Sequence, residues 1–222
     1  MYELNPLPPQ IEKSRLEHLA RAEPATIGHF LHTGFMDPGI RALQQDLRVA
    51  GTAVTVRLPG PDFSMVHYAL GQVRPGDILV LDRCGDHKHA VTGGAVIYAA
   101  RAAGVAAVII DGVATDIGEL RRYGVPIWCR GISPITGKML GLGGGFCVPV
   151  SCGGVAVNPG DAIVADECGV LVLPPSGIEA AADRAIAMQE AEKATLKRLD
   201  AGEKMPDISG VTALIATRLQ GQ

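Results

Sequence analysis

Residues 93–116 read Gly93-Gly94-Ala95-Val96-Ile97-Tyr98-Ala99-Ala100-Arg101-Ala102-Ala103-Gly104-Val105-Ala106-Ala107-Val108-Ile109-Ile110-Asp111-Gly112-Val113-Ala114-Thr115-Asp116, and this stretch decides the fold. Val96, Ala99, Ala100 and Ala103 fall at i, i+3, i+4 and i+7, the spacing of one narrow apolar helix face. Gly104 follows as a helix stop, and the apolar run Val105 to Ile110 begins at once. So short a passage from helix to strand is typical of α/β units. A strand apolar on both faces belongs in the middle of a sheet.

The two ends of this unit carry its chemistry. Gly93-Gly94 opens the helix with backbone N–H groups that suit an anion, or it serves packing, since glycine permits close backbone approach. Asp116 stands where the strand gives way to the next helix. It suits a hard divalent cation, because magnesium needs only one or two protein carboxylates. With Glu119 it also reads as a capping box, its carboxylate satisfying the N–H groups of its own helix. Both readings stay open on the residues alone.

Outward from this unit, residues 9–21 predict a polar amphipathic helix, Thr26 to Thr33 a short helix closed by Gly34, and Arg48 to Leu58 a strand rich in Val and Thr. Asp62 to Leu70 returns to helical spacing. The cue Pro75-Gly76-Asp77 precedes a strand at Ile78 to Leu81, and it recurs as Pro159-Gly160-Asp161 before Ala162. The echo suggests two similar hairpins facing each other, or two ordinary turns. Downstream, the pattern predicts a helix over Asp116 to Tyr123 and a strand over Pro126 to Arg130. A glycine-rich functional or mobile loop over residues 131–147 follows, then strands over Val148 to Val157 and Ala162 to Leu173. A long helix runs from about Gly177 to Ala201. No GxGxxG follows a strand, so a Rossmann fold is not expected.

The 222 residues are 47% hydrophobic and only 4% aromatic, so the core must be built from Val, Ile, Leu and Ala. A chain of this length buries roughly 70% of its unfolded surface and needs no disulfide or structural metal to fold. A net charge of −3, with scattered basic residues, gives no reason to expect nucleic acid. The five cysteines form no CxxC; Cys147 and Cys152 read as small buried hydrophobes. No secretory signal and no run of the ~20 apolar residues needed to span a bilayer is present, so the expectation is a cytoplasmic protein with no membrane partner.

Taken in order, Arg48-Val49-Ala50-Gly51-Thr52-Ala53-Val54-Thr55-Val56, Pro75-Gly76-Asp77-Ile78-Leu79-Val80, Gly104 to Gly112 with Asp116, Val148-Pro149-Val150, Gly153-Gly154-Val155, Pro159-Gly160-Asp161 and Gly169-Val170 resemble the RraA-like family. That family includes the class II 4-hydroxy-4-methyl-2-oxoglutarate/4-carboxy-4-hydroxy-2-oxoadipate aldolases. The resemblance covers nearly the whole chain, residues 1–222 as one domain. It implies a swivelling-domain-like α/β sandwich with a mixed sheet, assembled as a homotrimer or homohexamer with sites between subunits. It also implies a metal-dependent lyase, an aldolase or decarboxylase, acting on a small 2-oxo acid with Mg²⁺ or Mn²⁺. Other members are non-catalytic regulators that bind a ribonuclease.

By this resemblance Asp116 is the metal ligand and a catalytic residue, and the backbone of Gly93, Gly94, Ala95 and Val96 takes the substrate carboxylate. The family carries an acid at the position of Gly94 and an arginine at that of Thr115, which remains a candidate catalytic and substrate-binding position. Threonine cannot supply an arginine's charge or bidentate fork. An active enzyme must recruit a cation from elsewhere, and Arg83, His87, Lys88 and His89 are the nearest in sequence. His87 and His89 are the candidate substrate contacts. A phosphohistidine carrier, which also follows Gly-Gly with a histidine, is excluded by Tyr98 at that place.

Overall fold

The computed structural model describes residues 1–220. Strands β1 (Tyr2–Leu4), β2 (Arg41–Ala42), β3 (Arg48–Arg57), β4 (Asp77–Asp82), β5 (Ala107–Ala114), β6 (Ile127–Ile132) and β7 (Gly144–Phe146) form a mixed sheet in the order β1-β7-β3-β4-β5-β6-β2. β8 (Val150–Cys152) and β9 (Val155–Val157) pair as a separate ribbon. β10 (Ala162–Asp166) and β11 (Gly169–Leu173) form a hairpin that joins the sheet through the first half of β3. The helices are α1 (Lys13–Leu19), α2 (Pro24–Ile27), α3 (Ser64–Leu70), α4 (Gly94–Ala102), α5 (Ile117–Tyr123), α6 (Ile178–Asp200), α7 (Met205–Ser209) and α8 (Val211–Gln220).

The centre of the sheet is parallel, β3 to β4 to β5 to β6, because each step is crossed by one of the helices α3, α4 and α5. Alternation sends Val54, Val56, Leu79, Leu81, Val108 and Ile110 into the core under those helices. Ala53, Ile78, Val80, Ala107, Ile109 and Trp128 go to the opposite face, against Val150, Val157, Met36 and Ile40. The sheet is therefore covered on both sides, and β5 lies in its middle as its double-sided apolarity requires.

Several expectations shift in detail. α4 buries Gly94, Ile97 and Ala100, while Ala99 is exposed. Turning the helix so that isoleucine rather than a second alanine faces the core removes more apolar surface from water. β5 continues past Ile110 to Ala114 across a register irregularity opposite β6. Asp111 tolerates that place because its carboxylate accepts hydrogen bonds from the Arg130 guanidinium and, at 2.8 Å, from Gly153 N–H. α1 is shorter than the amphipathic pattern. The chain before it bonds instead to the sheet, Ile11 N–H donating to the Thr52 hydroxyl at 3.0 Å. α2 ends at Ile27 rather than reaching Thr33.

The segment 131–147 is not a free loop. Lys138 N–H donates to Pro61 carbonyl and Gly137 N–H to Ala90 carbonyl, both at 2.8 Å, and residues 144–146 become β7. The Pro-Gly-Asp echo is real but local. In both copies the aspartate carboxylate accepts the N–H three residues earlier at 2.8 Å, Arg74 for Asp77 and Asn158 for Asp161. Only the second copy leads into a hairpin; β4 and β10 flank β3 on opposite edges instead of facing each other.

The long helix appears as α6, and its first half is buried through Ile178, Ala181, Ala182 and Ala185. Its second half is largely exposed and is followed by α7 and α8, which lie beyond the last element expected from the sequence. Leu196, Met205, Val211, Leu214, Ile215 and Leu219 are all exposed on this arm.

Candidate functional site

The β5–α5 junction and the start of α4 meet. Asp116 has φ 55° and ψ 41°, in the left-handed region that aspartate visits more readily than most residues. This conformation sends the carboxylate back across the junction. Its Oδ2 accepts the Gly94 N–H at 2.9 Å, and it makes no side-chain cap to its own helix. Asp116 is exposed. Its Oδ1 receives the Thr115 hydroxyl at 3.3 Å, a long contact. The capping-box alternative is therefore not what this side chain does.

The glycine pair is demanded by the same geometry. A Cβ on Gly93 would lie 2.5 Å from Asp116 Oδ2 and 2.9 Å from Thr115 Cγ2. A Cβ on Gly94 would lie 1.5 Å from Glu119 Oε2. The Glu119 carboxylate thus fills the space that a side chain at position 94 would take. The first intrahelical bond of α4 runs from Ile97 N–H to Gly93 carbonyl at 3.0 Å, so the N–H groups of Ala95 and Val96 precede the ladder and point out of the helix start.

These groups line one cavity of about 360 Å³. Gly93, Gly94, Ala95, Val96, Thr115 and Asp116 form one wall. Phe63, just before α3, and His67 of α3 with Thr136 and Gly137 form the other. Thr115 is almost buried and held by its N–H donating to Thr92 carbonyl at 3.0 Å. Thr92 lies in the same wall, and its buried hydroxyl has no hydrogen-bond partner among the described residues. The far wall is fixed by Asp62, whose carboxylate accepts the N–H groups of Ser64, Leu140 and Leu142.

The loop residues named as surrogate cations are not brought to this cavity. Arg83 is fully buried, its guanidinium donating to the carbonyls of Leu58 (3.1 Å) and Gly60 (2.6 Å). His89 Nδ1 is 2.8 Å from Asp86 Oδ2, and His87 Nε2 lies 3.7 Å from Asp111 Oδ1. Burial alone would raise the Asp86 carboxyl. The N–H groups of Lys88 and His89, the His89 ring and Arg83 outweigh it and hold its pKa at about 2. This cluster organises the 83–90 loop. Lys88 is exposed and does not line the cavity.

Sequence reasoning missed His67 and Glu119. The first lay in a segment correctly expected to be helical, but nothing in the pattern tied that helix to residues 93–116. The second was weighed only as a capping partner. A larger cavity of about 1010 Å³ lies elsewhere, between residues 30–35, the β8–β9 ribbon and the start of α6. Among the described residues no trio of His, Cys, Asp or Glu is grouped to hold a metal, and no helix is long and apolar enough to cross a membrane.

The sequence pattern of the RraA-like family, Aldolase/RraA, matches residues 25–172, which include every wall of this cavity. The chain belongs to the RraA-like family. A relative from Halalkalibacterium halodurans, provisionally named a 4-hydroxy-4-methyl-2-oxoglutarate aldolase, is 38% identical over 61% of this chain; the match spans 64% of that relative's length. The Thermus thermophilus protein named 4-hydroxy-4-methyl-2-oxoglutarate aldolase is 35% identical over 59% of this chain and 80% of its own. Among solved structures, Streptomyces coelicolor RraAS2, described as an unusual member of the RNase ES inhibitor RraA family, superposes with a TM-score of 0.75 at 30% identity. It covers 84% of this chain and 98% of its own. RraA-like relatives thus include named aldolases and a protein of an inhibitor family, on the mixed α/β fold seen here.

Proposed function

We propose that this RraA-like chain is a divalent-metal-dependent carbon–carbon lyase acting on a small 2-oxo acid, by retro-aldol cleavage, decarboxylation or both. The observation that carries the reading is the Asp116 carboxylate, turned away from its own helix and set beside the N–H groups that open α4. The donor set fits Mg²⁺ or Mn²⁺. One exposed carboxylate with a weakly engaged Oδ1 is what magnesium requires, the remaining positions going to water and substrate.

A bound divalent ion supplies Lewis-acid polarisation of the 2-oxo group, which both reactions need as an electron sink. The chain's own contribution is binding and orientation. The N–H groups of Ala95 and Val96 receive the substrate carboxylate, and the aligned peptides of α4 favour its negative charge. Gly93 and Gly94 leave room for the Asp116 and Glu119 carboxylates to lie against the start of α4. Asp116 holds the metal, and Gly94 N–H fixes its orientation. Thr115 limits the width of the cavity and cannot clamp a carboxylate.

The test is pyruvate release from 4-hydroxy-4-methyl-2-oxoglutarate and from oxaloacetate, with Mg²⁺ and with EDTA. Release that needs metal and falls by at least about a hundredfold in Asp116→Ala is expected, in line with loss of a principal electrostatic group. A panel of 2-oxo acids giving no product, or an Asp116→Ala variant with full activity, would overturn the proposal.

Thr115 in place of an arginine favours one other reading, a non-catalytic regulator that binds a ribonuclease. A chain inert toward all 2-oxo acids that captures a purified ribonuclease E-type enzyme would establish it. On either reading we propose a homotrimer or homohexamer. Leu214, Ile215 and Leu219 of α8 stay more than half exposed on their own chain, and a helix of ten residues is marginal in water without a partner.

A further inference from the structure

A 2-oxo acid bound as proposed brings a carboxylate and a keto oxygen into a cavity whose arginine position is Thr115. Of the residues lining that cavity, only Asp116 and His67 carry ionisable side chains. Asp116 is an acceptor and repels the substrate's charge in the absence of a cation. Arg83 is spent on backbone carbonyls, His89 faces Asp86, and His87 faces Asp111. His67 therefore has no rival on the cavity wall as a side-chain N–H donor that can also carry positive charge.

The ring is held in place. It stacks on Phe63, with centroids 5.1 Å apart and planes at 23°. α3 is pinned at its start by the Asp62 carboxylate bonding Ser64, and on its inner face by Met65, Val66 and Ala69 in the core. The edge of an imidazole stacked this way stays free for a ligand, while its face is taken. His67 is exposed; its backbone N–H donates to the Phe63 carbonyl at 3.5 Å, while its ring has no hydrogen-bond partner among the described residues, so the ring nitrogens are available.

We propose that His67 is a substrate-binding residue that donates a hydrogen bond to an oxygen of the bound 2-oxo acid, supplying from α3 the side-chain donor that Thr115 cannot. This rests on the lyase reading of the same cavity, and the experiment separates the two. Oxalate, a planar mimic of the pyruvate enolate, is titrated calorimetrically into the 222-residue protein with Mg²⁺. Wild type is expected to bind. His67→Ala should weaken binding by roughly tenfold to a hundredfold, the usual consequence of losing a hydrogen bond to a charged group. His67→Gln, which keeps an N–H donor, should recover part of it. In wild type the ¹⁵N resonances of the His67 ring should move on oxalate addition, a response that a purely structural role would not give.

If wild type binds oxalate and a folded His67→Ala or His67→Gln binds it equally well, with the ring resonances unmoved, the assignment of His67 is wrong while the cavity remains the site. If wild type binds no oxalate with either Mg²⁺ or Mn²⁺, the lyase reading fails and takes this inference with it. Should His67→Ala not fold, His67→Gln and the ring resonances decide.

Discussion

Removing the Asp62 carboxylate should loosen the far wall of the cavity by a predictable amount. Asp62 is 1% exposed, and Oδ1 accepts Ser64 N–H at 2.9 Å, Ser64 Oγ at 2.5 Å and Leu140 N–H at 3.1 Å, while Oδ2 accepts Leu142 N–H at 2.6 Å. Burial by itself would raise the carboxyl's pKa, but the Ser64 hydroxyl and the three backbone N–H groups outweigh it and bring it to about 2. An unfolded aspartate titrates near ~3.9, and the gap is worth about 2–3 kcal/mol of folding stability. Because the folded value is the depressed one, this stability is fully present above pH ~4 and is lost as pH falls through about 2. Asp62→Ala should cost about 3 kcal/mol at pH 7, the carboxylate's share plus incomplete rehydration of the N–H groups it leaves. Urea unfolding of both proteins at one concentration, from pH 7 to pH 2, isolates the effect, since every other carboxylate is common to the two. The difference should shrink by about 2 kcal/mol at the acid end. A difference that stays constant across that range would refute the hydrogen-bond account of this wall.

Three further outcomes follow from contacts already described. Thr115→Arg restores a guanidinium beside Asp116 and should raise kcat/KM on the preferred 2-oxo acid by about a hundredfold or more; no gain in a folded variant would show that position 115 does not face substrate. Gly94→Ala should destabilise by about 1 kcal/mol because its Cβ overlaps the Glu119 carboxylate, and that cost should largely vanish in a Glu119→Ala background. A cost that persists unchanged in the double variant would mean that Glu119 is not what excludes a side chain there. Deleting residues 204–222 should lower the assembly mass measured by light scattering while the body keeps its circular dichroism, because Met205, Leu214, Ile215 and Leu219 stay more than half exposed on their own chain. An unchanged mass would remove the arm from the assembly.

The sheet's centre was legible because strong signals agreed: a helix face, a glycine stop and a six-residue apolar run with no break. Edges were less so. β7 hides inside a glycine-rich stretch because its residues are chosen for close approach, not for side-chain packing. A Cβ on Gly144 would lie 2.5 Å from Arg57 carbonyl. The Asp111 irregularity was invisible because its partners Arg130 and Gly153 come from distant segments. The same holds for the site. Gly93 to Val96, Thr115 and Asp116 were found from their own helix–strand unit, whereas His67 reaches the cavity only through the pairing of residues 61–63 with Lys138 and of Ala90 with residues 135–137. Proximity in sequence misled in one place: His87 and His89 lie close to Gly93 along the chain, yet the Asp86 carboxylate turns their loop into a separate knot.

Asp116 decides between a local and a chemical role, and one substitution divides them. Its left-handed backbone costs an ordinary residue roughly 1–2 kcal/mol, and aspartate and asparagine less. Asp116→Asn therefore keeps both the backbone tolerance and an amide oxygen able to accept the Gly94 N–H, so stability in urea should stay within about 0.5 kcal/mol of wild type. Asp116→Ala loses both and should fall by about 2 kcal/mol. If the carboxylate only ties α4 to the β5–α5 turn, asparagine restores everything that alanine removes, activity included. If its charge holds a divalent ion, asparagine restores the fold and leaves Mg²⁺-dependent pyruvate release as low as in the alanine variant, because an amide oxygen carries no formal charge and is a poor substitute where one carboxylate supplies the protein's whole share of the coordination. Full metal-dependent turnover in a stable Asp116→Asn protein would leave this carboxylate with a structural duty alone.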